Sequence, residues 1–219
     1  MSASGQALLA SVRAELAPGE GHNRFVELIA EGRLPLDRVK GLICEEFVIG
    51  EADRRSFSTL AARFPTSPAA DFFLYLAASE TPGRVGLLRL ADALGLSIED
   101  IGAYEPLPGC QTYSAYLSQL ALGGSQVDVA LSLVANLTAF GDACGATARA
   151  LEAHYGISAE AASFFRLFGE PNPEFEELAM SVVEDGIVDG RLPSSARTAA
   201  RLLQTFELSF WNTLAEGVD

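Results

Sequence analysis

Residues 34–64, "LPLDRVKGLICEEFVIGEADRRSFSTLAARF", constrain the fold more than any other stretch. Past Pro35 there is no proline, and the apolar positions Val39, Leu42, Ile43, Gly50 and Phe57 fall on one stripe at 100° per residue. Pro35 stands near the first turn, where a missing N–H costs nothing. The spacing predicts one long helix over about 35–63. No stretch of the chain shows the two-residue alternation of strands, and β-branched runs are scarce. The expectation is therefore an all-α chain.

Turn and cap signals divide the rest. Ser4 is read as the cap of a first helix that runs to about Ala17 and is stopped by Pro18-Gly19. A short helix follows over about 22–31, ended by Gly32. Pro68 opens another, which "SETPGR" is expected to break before a further helix to about Leu94. Ser97 with Asp100 reads as a capping box, and "YEPLPGC" as a loop. Further helices are expected at about 111–122, 125–155, 158–168, 173–188 and 195–216, and "ALGGSQ" reads as a turn. There is no internal repeat and no long linker. Short connections favour antiparallel neighbours in a single bundle-like domain over residues 1–219.

The sequence has 15 basic and 29 acidic residues, a net charge of −14, and one lysine, Lys40. Nucleic-acid binding needs clustered cations, as does docking on anionic lipid, and this chain offers none. Neither nucleic acid nor membrane is expected as a partner. The N-terminus lacks the basic start and apolar centre of a signal peptide, and no apolar run approaches the ~20 residues of a spanning helix. Cys44, Cys110 and Cys144 are an odd set without CxxC spacing, which fits reduced thiols. A cytoplasmic location is the expectation.

Several polar residues fall on inner stripes. Glu46 lies in the centre of the 35–63 stripe and Asp53 close to it, while Glu45 points away. In the last helix Ala199, Leu203, Phe206, Phe210 and Leu214 form the stripe, and Glu207 sits within it beside Trp211. A carboxylate on a core face must be paired, hydrogen-bonded or protonated. Glu46 is thus either ion-paired with Arg54 or Arg89, or shares a polar pocket with Glu207. Asn136, in "SLVANLTAFGDAC", borders a stripe of Leu133, Leu137, Phe140 and Cys144. Tyr113 and Tyr116 lie on one face with Leu117 and Leu120, as core or as a pocket wall. Only His22 and His154 are present, so no metal site and no cofactor are expected.

Three strings taken in order resemble the TenA family, the thiaminase II group of the haem-oxygenase-like fold. "FVELIAEGRLPLDRVKGLICEEF" is similar to that family's opening. "ADALGLSIEDIGAYEPLPGCQTYSAYL" is similar to its middle segment, and "FELSFWNTLAEG" to its closing Glu-x-x-Phe-Trp helix. The resemblance implies an all-α haem-oxygenase-like bundle with an internal pocket for thiamine or an aminopyrimidine. It matches Glu46 to the acid that binds the pyrimidine edge, Glu207 to the acid/base, and Tyr113 and Phe168 to pocket walls. The nucleophilic cysteine matches Asn136, and a neighbouring tyrosine matches Phe140. A carboxamide cannot act as a thiolate does, though it donates and accepts hydrogen bonds. Cys144 lies eight residues on, about 12 Å along a helix axis.

The reading that follows is a pocket for a small nitrogenous heterocycle or amine, without standard thiaminase activity. Alternatives are a cysteine-independent hydrolase using Glu207, a non-enzymatic regulatory or partner protein, and, disfavoured by two histidines, a metal-dependent oxidase. The resemblance also implies a homodimer or homotetramer.

Overall fold

The computed structural model describes residues 3–17, 21–187 and 192–218. Among them every regular element is a helix. In chain order they are α1 (Ala3–Leu16), α2 (Arg24–Ala30), α3 (Leu36–Arg63), α4 (Ala69–Ala93), α5 (Ile98–Ala103), α6 (Thr112–Gly123), α7 (Gln126–His154), α8 (Ser163–Gly169), α9 (Pro173–Asp185) and α10 (Ser194–Leu214).

The caps explain most of these boundaries. Asn23 caps α2, its side chain accepting from the Val26 N–H at 3.0 Å. The capping box expected at Ser97 and Asp100 is present, and a second, Ser125 with Asp128, starts α7 directly after the turn at Gly124. Ser4 lies inside α1 rather than ahead of it, Pro18 and Gly19 fall outside the described residues, and the helix expected to reach 188 ends at Asp185, capped by Gly186. The helix expected from 158 begins only at Ser163.

One break is absent. Helix α4 continues through Pro82, so "SETPGR" does not divide it. An interior proline removes one helical hydrogen bond and costs about 3 kcal/mol or more, but packing along both ends of α4 outweighs that loss. Phe72, Phe73 and Leu76 are buried before Pro82, and Leu87, Leu90 and Ala91 after it. Gly86 lets α8 approach closely, since a Cβ there would stand 3.1 Å from the Phe164 Cβ.

Helix α7 runs through the middle, contacting α10, α8, α9 and α2, while α3 pairs with α4 and α6. By length and composition α7 is apolar enough to cross a membrane, contrary to the sequence expectation; half of its apolar window is buried within the bundle. The core divides into two clusters. One gathers Phe57, Phe72, Leu76, Phe175 and Leu203. The other gathers Phe47, Leu87, Phe164, Phe210 and Trp211. Tyr113 packs against both, and the main cavity opens along the seam between them.

Candidate functional site

Helices α3, α4, α6, α7, α8, α9 and α10 line a cavity of about 420 Å³ along that seam. The six residues singled out in the sequence, Glu46, Tyr113, Asn136, Phe140, Phe168 and Glu207, all line it. Helical spacing explains how α3 contributes more than once: Glu46, Gly50, Asp53 and Phe57 share one face. Phe140 meets Phe168 edge to face at 5.4 Å, and Phe168 meets Phe164 at 5.0 Å, forming an aromatic wall from α7 and α8.

The inner end is polar. Asn136 Nδ2 donates to Glu207 Oε2, and both side chains are buried. Burial pushes the Glu207 carboxyl up to about 8, with the Trp211 indole pulling the other way. The indole N–H itself makes no hydrogen bond of ordinary geometry. Glu46 is likewise pushed up to about 8, by burial first and then by Glu80, Glu207 and Glu45. Neither the expected Arg54 nor Arg89 pairs with it; among the described residues it forms no ion pair. Arg54 acts instead on Glu80, which burial nevertheless raises to about 7.

Asp53 is raised well above the ordinary carboxylate range, by burial and then by Glu80 and Glu46, with the Tyr113 hydroxyl drawing it back. Its Oδ1 has no partner. Burial, reinforced by Asp53 and Glu207, pushes Tyr113 well above its usual range, so it stays a neutral phenol able to donate. At the mouth, Arg84 bridges Glu51 at 2.8 Å, tying α4 to α3. Asn172 Nδ2 donates to the Tyr75 hydroxyl at 3.0 Å.

No cysteine lines this cavity. Cys144 is fully buried behind its wall, and burial, with Glu46 and Glu207, pushes the thiol well above its ordinary range. It is therefore held as an unreactive thiol. Among the described residues no three His, Cys, Asp or Glu side chains are placed to hold a metal ion.

Sequence reasoning misjudged Glu45 and missed Glu80. Glu45 is fully buried. Its carboxylate accepts from the Tyr104 hydroxyl at 2.8 Å, the Leu107 N–H at 2.7 Å and Gln111 Nε2 at 2.7 Å. It thus holds the loop that leads into α6 and Tyr113. Glu80 sits in α4 two residues before Pro82, inside the string read as a break, which hid its facing. A Cβ at Gly50 would come 3.3 Å from Glu80 Oε2, so glycine makes room for that carboxylate.

Comparison with known proteins gives the lineage. A domain of unknown function with a haem oxygenase-like fold from Shewanella denitrificans superposes with a TM-score of 0.76, at 12% identity, over 95% of this chain and 89% of its own. A TenA homologue from P. horikoshii gives 0.71 at 17% identity over 96% and 97%. A TenA family transcription regulator from a Silicibacter species gives 0.73 at 15% over 94% and 96%. At these identities the likeness establishes the haem-oxygenase-like fold alone. No curated protein matches the chain. A sequence model of the TENA/THI-4/PQQC family matches residues 19–216, nearly the whole chain, and the chain belongs to that family.

Proposed function

We propose that the cavity binds a small nitrogenous heterocycle or amine related to thiamine or its aminopyrimidine, without standard thiaminase chemistry. The observation that carries this is the Asn136–Glu207 hydrogen bond in a chamber that no thiol lines. A nucleophilic route needs a charged, polarizable attacking group, and an amide bonded to a carboxyl is neither. Acidic groups outnumber cations around the chamber: Glu46, Glu51, Asp53, Glu80, Glu170 and Glu207 against Arg54 and Arg84, the last paired with Glu51. That balance suits a ligand whose nitrogens donate hydrogen bonds or carry positive charge.

One observation favours a second reading, a cysteine-independent hydrolase. A carboxyl held at about 8 exchanges its proton near neutral pH, as a general acid/base must. In this reading Glu207 takes a proton from water, and Asn136 orients the bound substrate.

The test is a thermal-shift series with thiamine, aminopyrimidines and simple amines, followed by chromatography for products. A rise in Tm with any of them supports binding, and no shift with all of them refutes it. Turnover that disappears in Glu207→Gln selects the hydrolase; binding without turnover selects the first reading. Cleavage of thiamine by the unaltered protein at the rate of a cysteine-dependent thiaminase would overturn both.

A further inference from the structure

The acids of the chamber are spread along it rather than gathered at a point. Glu46 and Asp53 are seven residues apart on α3, about 10 Å along the axis. Glu80 reaches in from α4 beside Gly50, which lies between them, and acts on both. Glu207 enters from α10, bonded to Asn136.

Two of these acids are not fully satisfied by the protein itself. Glu46, only 6% exposed, forms no hydrogen bond or ion pair with the described residues. Asp53, 8% exposed, keeps Oδ1 buried and unpartnered. Both residues line the cavity, so an occupant of it lies against their carboxyl groups. Among the described residues no three potential ligands are gathered as a metal ion would need. A single ammonium satisfies one end and leaves the other bare. Leu133, Leu137, Phe140 and Leu203 line the same chamber and supply apolar wall.

We propose that the occupant is a dication, two amino groups joined by a short aliphatic linker, with one nitrogen between Glu46 and Glu207 and the other between Asp53 and Glu80. This assignment rests on the reading of the cavity as an amine or heterocycle site and narrows it to a class. Each ammonium brings three donors, which suits buried carboxylates with acceptor capacity left over, and charge-assisted bonds at both ends offset the desolvation of ligand and protein together. The linker lies against the apolar wall, which leaves the two ammonium groups to the acids at either end.

The experiment is calorimetric titration of the full chain with putrescine, n-butylamine and thiamine. Putrescine is expected to bind at least about tenfold more tightly than n-butylamine, and Asp53→Asn or Glu80→Gln is expected to bring that ratio toward one. Both replacements keep side-chain shape and remove the carboxyl that would pair with the second ammonium, and far-UV circular dichroism checks that each variant folds. Equal affinity for the two amines, or a ratio that survives both replacements, overturns the dication. If thiamine or n-butylamine binds and putrescine binds no better, only the dication falls; if none of the three binds, the amine or heterocycle site falls with it.

Discussion

Replacing Glu46 with Gln should stabilise the protein, increasingly as pH rises. Glu46 is buried without a partner and its carboxyl is pushed from 4.5 to about 8. Such an acid favours folding least where it would be ionised. The unfolded chain releases the proton above its ordinary pKa while the folded chain retains it, so stability is fully present below about 4.5 and is lost as pH rises toward 8. At 1.36 kcal/mol per pKa unit, the cost removed by the amide is about 1 kcal/mol at pH 5, about 3 at pH 7 and about 5 at pH 9. The same replacement also relieves Asp53, on which Glu46 acts, and so works in the same direction. Urea unfolding of both proteins at the three pH values measures the difference directly, provided the m-value is unchanged. A gap that does not widen with pH, or a variant less stable at pH 9, would refute the placement of Glu46 as an uncompensated buried acid.

Three further outcomes are expected. Glu45→Ala should lower stability by about 3–5 kcal/mol in urea unfolding, because it strands the three donors that the carboxylate holds, Tyr104, Leu107 and Gln111; a loss below 1 kcal/mol would show that the loop is anchored otherwise. Gly169→Ala should cost about 1–3 kcal/mol, since a Cβ there would lie 2.8 Å from the Gly145 Cα and force α8 away from α7; Tm measured by calorimetry checks it. Asn136→Cys alone should not restore full thiaminase activity, because the resemblance to thiaminases also implies departures at Phe140 and Glu46. Robust release of free pyrimidine and thiazole by that single variant would contradict this.

Much of the candidate site could be read from one-dimensional spacing. Glu46, Asp53 and Glu207 were visible because each interrupts or borders an apolar stripe of a long helix, and a stripe reports the buried face whatever it packs against. Glu45 escaped for a related reason. Periodicity marks the side of α3 that carries apolar residues, whereas Glu45 is buried on another side by a loop, and the burial of a carboxylate under backbone and side-chain donors leaves no trace in hydropathy. Glu80 escaped because Pro82 reads locally as a helix breaker, and only contacts made before and after it hold α4 continuous.

The sequence alone determined that the chain is helical, roughly where most of its helices start and stop, and that Glu46, Asp53 and Glu207 face inward, since these depend on local caps and on a 3.6-residue period. Tertiary structure alone decided that Asn136 meets Glu207, that Glu46 has no arginine, and that Glu80 joins the same chamber. Each of those facts is a distance between helices far apart in the chain, and such distances are set by how two core clusters close around a seam, which no local spacing encodes.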